Sequence, residues 1–494
     1  MDDCQDMTSR DVASPAQAAP PKTAAPLAAA ELRRIRITAI IVAFALFMQN
    51  MDSTVIATAL PTMANAFGVE PVRMNVALTS YLLSLAVFIP SSGWMADRFG
   101  ARNVFRIAIA VFTLTSVLCG SAGNLPELVV FRVLQGMGGA MMVPVGRLLL
   151  LRNVPKSELV AAMAWLTTPA LIGPVLGPPL GGFITTYFSW RWVFDINVPI
   201  GIVGILLVTV FVHDVREPNE TPFDWIGFAL SGISLSCLMF GLETGGRGVI
   251  SVGVPATALG IGVAAALGYA VHARGHPAPL IDFTLVRYRT FQVSVTAGTV
   301  FRIGVGALPF LMPMMLQLTF GRSAVQSGLI TFASSVGALV MKPVSTRALR
   351  WFGFRDTLLY NGALAAALLG VCAAFRPSWP VFALYVILLA GGFFRSLQFT
   401  AYNALAYGEI PRARMSAATS LYSTLQQVSL TLGVAIAAAT LTITMALSGH
   451  SEPQLSDFSL SFVVVALISL AACPLSFSMP RDAAADVTGH RVRN

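Results

Sequence analysis

Fourteen long apolar stretches follow one another along the chain, most with no more than one charged residue. Their approximate limits are 37–60, 75–96, 104–122, 126–150, 160–186, 193–212, 223–242, 249–271, 291–317, 324–345, 356–374, 380–403, 416–446 and 459–479. A helix needs roughly 20 such residues to cross the hydrocarbon layer of a bilayer. Backbone amides in lipid must be satisfied within the segment, so these stretches are expected as helices. The alternating ten-residue strands of an outer-membrane barrel are not seen. Composition agrees. Hydrophobic residues make up 55% of the 494 and charged residues 11%, against about 25% charged in soluble domains. That leaves too little polar surface for a cytosolic enzyme, a secreted domain or a disordered scaffold. The fold class expected is an all-α polytopic membrane protein of 14 spans.

Residues 1–36 read as a disordered cytoplasmic tail, rich in Ala and Pro and lacking the apolar core of a signal peptide. Arg33, Arg34 and Arg36 mark the inner edge of the first span. With the N-terminus inside, only Arg73, Arg191, Arg247, Arg322 and Arg376 fall on the outer side, and Arg132, Arg302 and Arg395 fall within spans. That leaves 24 of the 32 Lys and Arg on the cytoplasmic side, the bias that sets orientation in bacterial membranes. An even number of spans places residues 480–494, a second tail, inside as well. The net charge of +9 follows from this bias, so no nucleic-acid partner is expected. Five scattered cysteines show no metal or disulfide spacing. The five histidines fall in loops or the tail. Neither paired catalytic carboxylates nor a GxxxxGK[ST] loop is present, so the chain is not expected to be an enzyme or an ATP-driven pump. No metal and no cofactor beyond a proton gradient is called for.

The chain carries an internal echo. Arg98-Phe99-Gly100-Ala101-Arg102 follows the second stretch, and Trp351-Phe352-Gly353-Phe354-Arg355 follows the tenth, 253 residues later. This suggests two six-span halves, 37–212 and 291–479, separated by two additional transmembrane helices over 223–271, the parallel-repeat plan of many transporters.

Asp52 is the one acid deep within a stretch, and an intramembrane carboxylate is a functional candidate by default. It lies about 24 Å along its helix from Arg36, and Arg132 lies about 28 Å from the inner end of the fourth span, at 1.5 Å per residue. Equal depth lets the two pair, as a structural bridge or as a proton-coupling centre. Gln49 and Gln135 stand one helical turn away and favour a hydrated cavity. Arg302, flanked by Gly304 and Gly306, and Arg395 with Gln398 are further cavity candidates, although Arg395 can also reach the inner interface. Three deep arginines against one acid lean the cavity positive and favour an anionic substrate. Asp195, four residues after Arg191, reads as half of a local helical salt bridge.

Gly173, Gly177 and Gly181 recur every four residues in the fifth span and line one face open to close helix approach. Pro174 and Pro178 bend the rod, and Gly182 extends the glycine-rich run. In the loop after span two, Gly93 permits close contact and Gly100 a tight reversal. Asp97 is expected near the N-terminus of another helix, such as the thirteenth span, whose dipole attracts it. Arg98 and Arg102 complete this loop, and its charges suit a lock remade during movement.

At these residues the sequence resembles the major facilitator superfamily, specifically its fourteen-span drug:proton antiporter branch of EmrB/QacA type. Met51-Asp52-Ser53-Thr54-Val55-Ile56 is similar to the branch's first-span motif, Gly93 to Arg102 to the superfamily loop motif, Arg132-Val133-Leu134-Gln135-Gly136 to the fourth-span motif, and Gly173 to Gly182 to the antiporter motif. Trp190-Arg191-Trp192 and Asn197-Val198-Pro199 are also typical of the branch. The N-terminal half is particularly similar to MdtD-type transporters. One departure is Ala101, where the loop motif often has a basic residue. The resemblance implies a major facilitator fold of two six-helix bundles plus two extra helices. It implies that Asp52 and Arg132 couple protons and that the glycine motifs gate the conformational change. The expected function is proton-coupled export of drugs or other small amphipathic molecules by alternating access; the alternative is export of a small organic anion or metabolite. Expected partners are the substrate, protons and the lipid bilayer, with a periplasmic adaptor protein in some arrangements and a monomer otherwise. The expected location is the bacterial inner membrane.

Overall fold

A computed structural model describes residues 29–212, 221–245, 253–480 and 483–490. The tail assignments for 1–28 and 491–494 lie outside these residues. The described residues form helices α1 Ala29–Phe67, α2 Asn75–Phe88, α3 Ser92–Phe99, α4 Ala101–Ser121, α5 Leu125–Asn153, α6 Leu159–Tyr187, α7 Trp192–Asp195, α8 Asn197–Phe211, α9 Trp225–Gly245, α10 Gly253–Gly275, α11 Arg289–Leu318, α12 Ala324–Asp356, α13 Gly362–Val371, α14 Val381–Leu405, α15 Met415–Ser448, α16 Leu455–Leu470, α17 Ala472–Phe477 and α18 Ala485–Thr488, with no strand among them.

Helix ends follow local chemistry. The Asn124 side chain accepts the Glu127 N–H at 2.9 Å to start α5, and Ser323 with Gln326 forms a capping box at α12. Gly449, at φ 70°, ends α15 in the left-handed region open to glycine. α1 starts at Ala29, so the helix reaches back into the segment read as tail.

Twelve segments among the described residues are long and apolar enough to cross a membrane, against the fourteen expected. One of them, Val325–Ala374, runs for 50 residues and contains two of the expected stretches, joined across Gly353 at φ 69°. The fifth expected stretch forms α6, a helix of 29 residues without a charge, and is not among the twelve. Large apolar side chains such as Ile107, Leu114, Val130, Leu206, Leu267 and Leu467 are exposed on the outside of the helices, a surface suited to lipid rather than water.

α1 packs along α6, α5 lies between α4 and α2, and α8 covers α4. In the later chain α12 packs on α14, and α11 on α15 and α16. α9 and α10 pair mainly with each other, and α9 also touches α2 and α15. Gly100 and Gly353, the two glycines of the echoed Phe-Gly-x-Arg turns, both take positive φ, 84° and 69°. The repeated residues thus mark a repeated backbone reversal that only glycine adopts without strain.

Two basic residues counted on the cytoplasmic side are buried within stretches instead. Arg147 is 3% exposed and Lys342 6%. The excess on that side persists without them, and both are expensive enough in a membrane to need an explanation.

Candidate functional site

α1 carries Asp52, α5 carries Arg132 and Gln135, and α8 begins at Asn197. These residues meet in a buried centre. Arg132 donates to Asp52 Oδ2 at 2.7 Å, with both side chains fully buried. Gln135 Nε2 donates to Asp52 Oδ1 at 3.1 Å, and Asn197 Nδ2 donates to the same oxygen at 3.0 Å. Arg132 also donates to Gln135 Oε1 at 2.6 Å and to the Ala77 carbonyl at 3.3 Å. Its guanidinium carbon stacks 4.1 Å from the centre of the Tyr81 ring. Ser116 in α4 accepts from Asn197 at 3.0 Å and donates to the Phe194 carbonyl at 2.9 Å. Three hydrogen-bonding groups from two helices therefore hold one carboxylate, yet Arg132 Nη2 and Asn197 Oδ1 remain without partners. A buried ion pair with spare polar atoms is costly to build, and parting it strands a charge.

Gln49 is half-buried and is not a direct partner of Asp52. Asn197, Ser116 and Tyr81 join the centre without having been singled out as site residues. Only Asn197, at a helix start inside a quoted motif, offered a sequence signal. The expected Arg191–Asp195 bridge does not form among the described contacts. Arg191 instead stacks 4.5 Å from the Trp190 ring centre.

The glycine face of α6 lies directly on the part of α1 around Asp52. A Cβ at Gly173 would come within 3.0 Å of the Met51 nitrogen, one at Gly177 within 2.7 Å of Thr54 Cβ, and one at Gly181 within 2.9 Å of the Val55 carbonyl. Gly182 does not belong to this contact, because a Cβ there would meet nothing within 4 Å. The side chains of Pro174 and Pro178 lie outside the described residues.

In the loop after the second stretch, Asp97 accepts from Arg152 Nη2 at 2.7 Å and from the Ser416 hydroxyl in the first turn of α15. A Cβ at Gly93 would come within 2.8 Å of the Ser416 carbonyl. Ser420 donates to the Pro90 carbonyl at 2.7 Å. These contacts tie α3 and the preceding turn to α15. Arg98 is exposed. Arg102 donates to the Thr209 carbonyl in the last turn of α8, where a cation complements the helix dipole.

A second polar group sits where α5 meets the later helices. Arg147 donates to the Tyr407 hydroxyl at 3.4 Å and to Gln426 Oε1 at 3.3 Å. Arg302 donates to the Tyr422 hydroxyl. The guanidinium carbons of Arg147 and Arg302 lie 5.3 and 4.8 Å from the same Tyr422 ring centre. Neither has a carboxylate partner among the described residues. Arg395 and Gln398 do not join them. Arg395 donates to Ser334 of α12, while Gln398 accepts from Asn361 at 2.9 Å and donates to the Leu358 carbonyl at 3.0 Å. Those contacts fasten α14 to its neighbours.

The model of the Major Facilitator Superfamily matches residues 42–434 and 294–491. The chain belongs to that superfamily. It is 40% identical over 402 residues to a relative from Serratia proteamaculans provisionally named multidrug resistance protein MdtD, covering 80% of this chain and 83% of that one. A Klebsiella pneumoniae relative of the same provisional name is 39% identical over 462 residues, covering 92% and 96%. Among solved structures, the human organic anion transporter MFSD10 superposes with a TM-score of 0.66 at 14% identity, covering 90% of this chain and 99% of that one. The proton:xylose symporter XylE superposes at 0.64 and 14%, covering 92% and 98%. This superfamily member is thus a multi-pass secondary transporter with the major facilitator fold, not an enzyme.

Proposed function

We propose that this transporter is a proton-coupled antiporter exporting drugs or other small amphipathic molecules across the bacterial cytoplasmic membrane. The reading takes fourteen crossings, both termini cytoplasmic, and bundles over 37–212 and 291–479 with 223–271 inserted between them. One observation carries it: Asp52, the deep acid of α1, is fully buried and held by Arg132 at 2.7 Å. The guanidinium balances the carboxylate where they meet. A shift of α1 against α5 parts the two, and that parting is the step at which Asp52 exchanges its proton. The glycine face of α6 gives α1 a smooth surface for that shift. The Asp97–Ser416 and Arg147–Tyr407 contacts close the arginine-rich end of the molecule. Opening to the cytoplasm must break them, so alternating access couples their making and breaking to the state of Asp52. Proton-driven efflux from proteoliposomes tests the reading. Asp52→Asn is expected to abolish drug movement driven by a pH gradient while leaving drug binding. Undiminished gradient-driven transport by this variant would reject Asp52 as the coupling acid. Relatives named for multidrug resistance support drugs as cargo.

A second reading has its own observation. Arg147 and Arg302 face one aromatic ring with no acidic partner among the described residues, a setting that favours a small organic anion. Competition by carboxylates against cationic dyes separates the two cargoes. Failure of every anion to compete removes the second reading.

A further inference from the structure

The chain enters the α9–α10 hairpin past Asp224 and leaves it past His276, and these two ends of the hairpin lie against each other. Three metal-ligating side chains gather there. His272 and His276 are four residues apart at the end of α10, spacing that places both rings on one helix face. Their ring centres are 5.2 Å apart. Asp224, one residue before α9, has Oδ1 at 2.8 Å from His272 Nε2. One ligand atom from each of the three residues lies within 4.8 Å of those of the other two.

We propose that Asp224, His272 and His276 form a site for a divalent transition-metal ion of the zinc class, which staples the open end of the α9–α10 hairpin. Two imidazoles and one carboxylate are a common ligand set for such an ion, with bonds of about 2.0–2.2 Å. Those bonds set ligand atoms roughly 3.3 Å apart in a tetrahedral site. The Asp224–His272 pair, at 2.8 Å, must open by about 0.5 Å to reach this spacing, as the metal takes the place of the shared proton. His276 must close by at most about 1.5 Å to reach tetrahedral spacing; its Nδ1 accepts from the Ala278 N–H at 3.2 Å.

The supporting groups are in place. Asp224 Oδ1 also accepts from the Gly227 N–H at 2.8 Å, and Oδ2 accepts from the Leu280 N–H at 3.3 Å. These bonds fix the carboxylate as outer-shell partners fix metal ligands elsewhere. A cavity of about 960 Å³ opens beside the cluster, lined by Asp224 and His276 and by Trp94 and Asp97 of the gating loop. An ion and its remaining waters can enter there. Trp94 also donates to the Thr221 carbonyl at 3.0 Å. The staple therefore adjoins the loop that closes the arginine-rich end. Arg274, Arg287 and Arg414 line the same cavity and disfavour a cation, but Arg414 is neutralised by Asp282.

Untagged full-length protein in detergent tests this. Equilibrium dialysis against Zn²⁺, with metal counted by mass spectrometry, is expected to give one ion per chain. The spectrum of the Co²⁺ form is expected to show d–d bands of nitrogen and oxygen coordination. The H272Q/H276Q double variant is expected to bind at least about 10–100-fold more weakly, the loss typical when even outer-shell partners are removed. H276Q alone keeps the Asp224–His272 bond and so serves if the double variant fails to fold; it too is expected to weaken binding. H450Q, altering the remote His450–Asp457 pair, is expected to bind as the unaltered chain does. Sub-stoichiometric binding by the unaltered protein, or equal affinity in H276Q, overturns the proposal. Because binding is read without transport, this result stands apart from the test of Asp52.

Discussion

Asp52 and Arg132 meet at 2.7 Å with neither side chain open to water, and they come from helices 80 residues apart in the chain. Neither could occupy this position alone. Removing one partner of a buried pair strands the other charge at a cost of about 3–5 kcal/mol. Asp52→Asn and Arg132→Gln are therefore each expected to lower the thermal midpoint in detergent markedly. The double variant D52N/R132Q is expected to be more stable than the additive sum, because both stranded charges are gone. Strict additivity in this cycle would mean that the pair is not coupled in the folded protein.

The contact of α6 with α1 makes a sharper distinction among glycines. Gly177→Ala and Gly181→Ala push a methyl group into Thr54 Cβ and the Val55 carbonyl, atoms that cannot swing aside. Overpacking of this kind costs about 1–3 kcal/mol, and here it also obstructs movement beside Asp52. Both variants are expected to lose most transport. Gly182→Ala meets nothing and is expected to transport normally. Equal activity of all three would separate the glycine face from the transport cycle.

Asp97 is shared between Arg152 and Ser416, so it joins the loop of the second stretch to the start of α15. Asp97→Asn and Ser416→Ala are expected to loosen the closed arginine-rich end. In cells, a cysteine introduced on this face should then react faster with a membrane-permeant thiol reagent. Arg102→Ala is expected to lower thermal stability, through loss of its hold on α8, without raising that reactivity. A faster reaction in Arg102→Ala alone would reverse these assignments.

The helices were legible because lipid leaves a span few choices: uncharged apolar runs must close their own hydrogen bonds. The Asp52–Arg132 meeting was also within reach of arithmetic, because two depths can be compared at 1.5 Å per residue. Arg147 and Lys342 escaped because each stands near the inner end of its apolar stretch, where position cannot tell a cation in the headgroups from one buried against a partner helix. Tyr422 and Tyr407 escaped for a related reason. An aromatic residue in a membrane helix is ordinary until a guanidinium from the other half is found against it. Arg395 and Gln398 were marked for the cavity by their polarity, and sequence alone does not show that their hydrogen bonds go to Ser334, Asn361 and Leu358 of neighbouring elements.

Acid titration offers a prediction at the junction of the bundles, outside the membrane-spanning segments. Burial alone would raise the Asp224 carboxyl, but hydrogen bonds from the Gly227 N–H, His272 and the Leu280 N–H outweigh it and hold it below its ordinary value of 3.8. Asp282 is likewise lowered against its burial, by Thr284 and by Arg414. A carboxyl lowered on folding stabilises the fold fully above its unfolded value, and that contribution is lost as pH falls through the folded one. The thermal midpoint in detergent is therefore expected to be insensitive to Asp224 and Asp282 from pH 7 to about 5, and to fall below about pH 4. Asp282→Asn is expected to lower the midpoint at neutral pH and flatten the acid slope, because the charge that protonation removes is already gone. A slope unchanged by this substitution would place the acid sensitivity elsewhere.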